Sequence, residues 1–136
     1  TNQTYEYSLL YPSAWPAKST DRTDREVLIS SSTGEFYTIT VLPNPNRLTP
    51  IDFYASQAEP GTNTALVQSY SHETWSGVMT PDSLKVYLTR NEGDPQKQTV
   101  MYVLEYHLNT KKDLNFISSM QMMLRSFVFT DLSFVR

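Results

Sequence analysis

The chain has 136 residues, a length that suits one domain burying about two-thirds of its unfolded surface. Eleven basic against 14 acidic side chains give a formal charge of −3, and the longest basic run is Lys111-Lys112. That excludes the basic stripe a nucleic acid or an anionic membrane surface requires. Cysteine is absent, which removes disulfides, thiolate metal sites and cysteine nucleophiles.

Apolar residues make up 39% and aromatic residues 12%, enough for a real core. Charged residues are 18%, below the ~25% of ordinary soluble domains. Tyrosine, threonine and serine fill the polar positions instead, a mix that favours strands and suits an extracytoplasmic protein. The start Thr1-Asn2-Gln3-Thr4 carries no apolar leader, so a signal or anchor segment removed ahead of it is expected. Asn2-Gln3-Thr4 also matches the glycosylation acceptor pattern, at what reads as a frayed end.

Tyr5 to Leu10 alternates as a first strand. Tyr11-Pro12-Ser13-Ala14-Trp15-Pro16 then stops it, because two prolines fix φ and remove two backbone donors. Pro12 and Trp15 are expected to form a structural corner, with the indole turned back onto the core. An exposed polar stretch is expected over 18–25. Glu26 to Ser30 reads as a short strand, Ser31 to Gly34 as a turn, and Phe36 to Leu42 as the second arm of a hairpin. Pro43-Asn44-Pro45-Asn46 ends that arm.

A helix is expected over 49–59. Thr49 is a good N-cap, Pro50 suits the first helical position, and Asp52 favours the positive end of the helix dipole. Three strands follow, over 65–74, 83–89 and 99–108. In the second, Leu84, Val86 and Leu88 point inward and Lys85 and Tyr87 outward. Asn91 to Pro95 is expected to link the last two as a wide loop. A second helix over 111–125 carries Leu114, Phe116, Ile117, Met120, Met123 and Leu124 as an apolar stripe. Arg125 favours its negative end, and Ser126 to Phe129 leaves as an extended tail.

Tyr11-Pro12-x-x-Trp15, the helix opening Pro50-Ile51-Asp52-Phe53-Tyr54, the strand Tyr102 to Tyr106 and the closing Leu124-Arg125-Ser126-Phe127 resemble the PsbP-like fold family in order and spacing. That family includes the photosystem II extrinsic protein, nuclear Ran-binding relatives and bacterial envelope lipoproteins. The resemblance spans almost the whole chain. It implies an α+β fold, an α/β/α sandwich with a central, mainly antiparallel sheet of about six strands and two principal helices. It selects no activity.

Candidate chemistry is sparse. Glu105 and His107 stand two apart on a strand and share a face, so an acid–base pair or a bridged metal is open to them. The same positions serve equally as a solvated sheet face. No histidine spacing typical of zinc occurs, and no calcium loop motif follows Asp21, Asp24 and Glu26. The methionines at 120, 122 and 123 share helix turns with apolar neighbours and read as core. No serine lies in a nucleophile elbow, and four glycines leave no phosphate-cradling loop. Neither cofactor nor metal is expected.

Seventeen aromatic residues (nine tyrosines, six phenylalanines, two tryptophans) exceed what one small core hides, so Tyr37, Tyr54, Trp75 and Tyr87, along with Tyr5 and Tyr7, are candidates for a partly exposed interaction surface; a two-sided sheet whose faces both need large residues accounts for them equally. The expected core comprises Leu9, Tyr11, Trp15, Val27, Ile29, Ile39, Val41, Phe53, Leu84, Val86, Val103, Leu114, Ile117, Leu124 and Phe127. A single domain over 1–136 follows, and the expected function is a non-catalytic binding or scaffold module outside the cytoplasm. Its partner would be a protein or a small ligand. The rival is a small hydrolase or ligand-processing enzyme using Glu105 and His107; a photosystem II-type accessory role follows only from the resemblance.

Overall fold

The computed structural model describes residues 2, 5, 7–11, 15–19, 25–30, 34–61, 63, 66–71, 75–81, 84–90, 99–107 and 117–129, with the backbone alone at 117–120. Among them the elements run β1 Tyr7–Ser8, β2 Ala17–Ser19, β3 Glu26–Ser30, β4 Phe36–Pro43, α1 Pro50–Gln57, β5 Gln68–Ser71, β6 Trp75–Met79, β7 Lys85–Arg90, β8 Val100–His107, α2 Ile117–Ser126 and β9 Val128–Phe129. The fold is mixed α+β. Seven strands form one antiparallel sheet in the order β2-β3-β4-β8-β7-β6-β5, and β1 pairs with β9 in a separate ribbon.

The sheet therefore has seven strands rather than about six, and its membership differs from the pattern read in sequence. Tyr5 to Leu10 shortens to β1, outside the sheet: Asn2 and Tyr7 exchange backbone hydrogen bonds of 2.8 and 3.2 Å, folding the terminus back on itself. The stretch read as exposed polar chain begins with β2, whose three residues are all exposed. An edge strand needs no buried side, so apolar alternation does not mark it. The strand read over 65–74 is confined to β5. β6 escaped because its short run is interrupted by Gly77, where an added Cβ would lie 2.7 Å from the Tyr87 carbonyl oxygen.

α1 forms as its start signals dictate. The Thr49 hydroxyl accepts from the Asp52 amide at 3.3 Å, and Pro50 stands where no backbone donor is needed. The preceding turn is wound around Asn44, whose buried side chain donates to the Leu48 carbonyl at 2.9 Å and accepts from the Leu48 amide at 3.0 Å. Arg47 takes the left-handed φ of 51° this turn requires. α2 ends with Arg125 in its last turn, while the expected helix start, Leu114 and Phe116 lie outside the described residues, as do Pro12 and the loop over 91–95.

Strand alternation sends the two sides of the sheet into two apolar clusters. On one side Tyr102, Leu104 and Tyr106 of β8 join Tyr37, Ile39, Val86, Leu88, Trp75, Met123, Leu124, Phe127 and Phe129. On the other, Met101 and Val103 join Val78, Tyr87 and Phe53 of α1. The helices thus serve opposite faces. Trp15 is buried, its ring stacked on Tyr37 at 5.4 Å. Tyr11 is not core: it is 39% exposed, because β1 ends at Ser8 and the strand alternation that would turn it inward ends there too. Leu9, Val27 and Leu84 pack at the margin of the larger cluster.

Candidate functional site

The expected aromatic surface is largely interior. Tyr37 lies between Trp15 and Tyr106, with the Tyr106 ring 4.9 Å away. The Trp75 indole N–H donates to the Phe127 carbonyl at 2.8 Å. Tyr87 sits under α1 against Phe53 at 5.8 Å and the half-buried Tyr54 at 5.7 Å. Tyr7 is buried and Tyr5 half-buried. The expectation of exposure fails for Tyr37, Trp75 and Tyr87 because apolar clusters form on both faces of the sheet, and for Tyr7, on β1 outside that sheet, because its ring stacks on Phe127.

Glu105 and His107 do meet, on the α1 side of the sheet where α1 no longer covers it. Register sets Thr38 and Lys85 on either side of Glu105, and Phe36 beside His107. The Glu105 carboxylate lies 3.7 Å from Lys85 Nζ and 3.8 Å from His107 Nε2. His107 Nε2 is also 2.9 Å from the Thr38 hydroxyl, and its ring stacks on Phe36 at 4.3 Å. The carboxylate and imidazole side chains are 35% and 31% exposed. A hydroxyl, an imidazole and a carboxylate are the groups of a nucleophile set, but the geometry departs from one. Working triads place the hydroxyl on one ring nitrogen and the carboxylate on the other; here both approach Nε2. The cluster reads as a cross-strand polar ladder in which each group already has a neighbour.

Two concavities flank this half of the molecule. A groove of about 510 Å³ runs beside the C-terminal end of α1, walled by Tyr54, Gln57, Glu59, Lys85, Tyr87 and Glu105. His107 does not line it. On the opposite face a cavity of about 380 Å³ lies between the N-terminal segment and β2–β4. Its floor is Val27, Ile29 and Ile39; Tyr7, Leu9 and Tyr11 form one wall; Asn2, Ala17, Lys18 and Ser19 form the rim. α2 reaches Tyr70 and Trp75 at the other end of that face, while Tyr7, Leu9 and Tyr11 stand beside Val27, Ile29 and Ile39 here. No cluster of three or more metal-ligating side chains occurs among the described residues.

Two residues organise the site's surroundings, one read in sequence as a glycan acceptor and the other not singled out. Asn2 is buried: its amide nitrogen donates to the Tyr7 hydroxyl at 3.3 Å and its amide oxygen accepts from the Tyr5 amide at 3.1 Å. That burial is incompatible with a glycan there. Arg90 is buried too, donating to the Tyr5 carbonyl at 3.0 Å with its guanidinium 4.3 Å from the Phe129 ring. It ties both chain ends to the sheet. Its signal was present, since Val86, Leu88 and Arg90 share one face by the strand's period of two. No family model matches the chain, and no curated protein or solved structure does.

Proposed function

We propose that the chain is a non-catalytic binding module of the cell envelope, built on a PsbP-like α/β/α sandwich, and that its ligand site is the 380 Å³ cavity over β2–β4. That cavity is the observation carrying the reading. Ligand sites are concavities of about 300–1,000 Å³ with an apolar lining and a few polar groups that fix orientation. Val27, Ile29 and Ile39 supply the first; Asn2, Ser19 and Lys18 supply the second. The ligand class that fits is a small molecule with an apolar body and one polar end. The sandwich is supported by the helices' contributions to opposite faces of the sheet. The envelope location is supported by the low charge content and by the family resemblance.

The test is methyl nuclear magnetic resonance on Val27, Ile29 and Ile39 during titration with a library of small amphiphiles. Saturable shifts at those methyls are expected, and Ala17→Trp at the rim should abolish them while the melting temperature holds. Shifts spread evenly over the surface, or none at all, would overturn the assignment. Location is checked separately by fractionating native cells: recovery in the cytosolic fraction alone would count against the envelope.

The hydrolase reading keeps one supporting observation, the Glu105 carboxylate in the wall of the 510 Å³ groove. Its decisive measurement is ester turnover by the parent and by Glu105→Gln. Turnover lost in the variant would put that reading first.

A further inference from the structure

A second place for a partner lies at the far end of the sheet, independent of the cavity over β2–β4. Among the described residues β5 is the terminal strand, with β6 as its one neighbour in the sheet. Among the described residues, none of Gln68, Ser69, Tyr70 or Ser71 hydrogen-bonds beyond that ladder. In an antiparallel edge strand, alternate residues turn their N–H and C=O groups outward, where they template another strand. Proteins guard such edges with charge, proline or shortness. The opposite edge has these guards, since β2 is three residues long, carries Lys18 and follows Pro16. β5 has neither charge nor proline.

Beside this edge a cavity of about 140 Å³ opens between β5 and α2. Tyr70, Trp75 and Leu124 form its apolar wall; Gln121 and Arg125 stand at its lip. Arg125 is exposed and forms no ion pair with a described residue. We propose that the β5 edge and this cavity together bind an extended peptide of a partner protein. The peptide adds a strand to β5. One leucine-sized side chain enters the cavity, and a carboxylate two residues along the same face meets Arg125. Strand addition beside a helix divides the labour in this way: main-chain hydrogen bonds give affinity and a side-chain pocket gives specificity. A second copy of this chain fits less well. Pairing two four-residue edges buries far less than the ~1,000 Å² a stable interface needs, and it leaves the cavity unfilled.

The probe is a fluorescein-labelled peptide, Ser-Thr-Leu-Thr-Glu-Thr-Ser, followed by anisotropy and by amide shifts of the full chain. Saturable binding is expected, with shifts at 68–71 and 121–125 and none at Val27, Ile29 or Ile39. N-methylation of alternate peptide bonds should abolish binding. Replacing the peptide leucine by alanine should weaken it about tenfold. Arg125→Gln should weaken it about fivefold with an unchanged melting temperature. No binding at millimolar peptide, indifference to N-methylation, or shifts confined to other strands would each overturn the proposal. So would self-association through β5 in the absence of peptide, seen by sedimentation. Because the readout residues differ from those of the β2–β4 cavity, either site can fail without the other.

Discussion

On the α2 side of the sheet, rings touch rings over most of the surface: Tyr7 stacks on Phe127 at 5.1 Å, Tyr102 meets Phe129 edge-on at 4.8 Å, and Trp15, Tyr37 and Tyr106 form a continuous stack. On the α1 side the same strands present a small cluster of five buried residues and then a polar ladder of Thr38, Glu105, His107 and Lys85. Both faces come from one alternation of side chains. The difference lies in what covers them. One face receives Met123 and Leu124 of α2, the β1–β9 ribbon and the N-terminal segment. The other receives α1, eight residues long, of which Phe53 alone is fully buried. A helix that short packs on β6 and β7, and Thr38, Glu105 and His107 lie beyond it on the same face.

The sharpest break of this contrast is Trp75→Ala. The indole is buried beside Gly77 and its N–H satisfies the Phe127 carbonyl at 2.8 Å. Removing it empties a large volume and leaves that carbonyl without its donor. A loss of about 5 kcal/mol is expected, the top of the range for a buried tryptophan, read by urea unfolding. A loss under about 2 kcal/mol would mean that the aromatic face is not the stability centre.

Next comes Phe53→Ala, the corresponding deletion on the α1 side. The phenylalanine contacts Tyr87 at 5.8 Å within the smaller cluster. About 3 kcal/mol is expected, the lower end for phenylalanine, since the half-covered site collapses more easily. Amide exchange should rise across 50–57 before it rises in β8. Equal losses for Trp75→Ala and Phe53→Ala would erase the distinction between the faces.

How much of this was legible in sequence follows the same division. β3, β4, β7 and β8 were readable as runs rich in β-branched and aromatic residues, and α1 was readable from Thr49, Pro50 and Asp52, which act locally. β2 and β6 were not, the first having no buried side and the second being interrupted by Gly77. The faces of Tyr37, Trp75 and Tyr87 depend on whether a second layer covers the sheet, and no local pattern carries that. Glu105 and His107 could be placed on one face by spacing alone. That the Thr38 hydroxyl joins the Glu105 carboxylate at the same nitrogen of the His107 ring depends on register with β4 and lies beyond any single strand.

Asn44→Ala tests how α1 is delivered to its face. Asn44 closes the turn before the helix with two side-chain bonds to Leu48, and its backbone amide bonds the Thr99 carbonyl at 2.7 Å. Losing the side chain leaves a half-buried donor and acceptor at Leu48 without these partners. About 2 kcal/mol is expected, with α1 exchange accelerated and the aromatic face unchanged. Uniform destabilisation of both faces would show that the turn supports the whole domain.

The smallest effect is expected at Lys85→Gln, and its smallness is informative. Lys85 Nζ lies 3.7 Å from the Glu105 carboxylate, with both side chains 35% exposed. Pairs in such surroundings contribute about 0–1 kcal/mol, because water screens the attraction and ordering a long side chain costs entropy. Lys85 also reaches over the Tyr87 ring at 5.6 Å, a contact glutamine keeps only in part. A change below about 0.5 kcal/mol is expected, and raising the salt concentration should not enlarge it. The ladder on the α1 side then contributes polarity rather than stability. A loss above about 1.5 kcal/mol would reverse that, making Lys85 and Glu105 a structural tie across β7 and β8 and drawing the two faces closer in character.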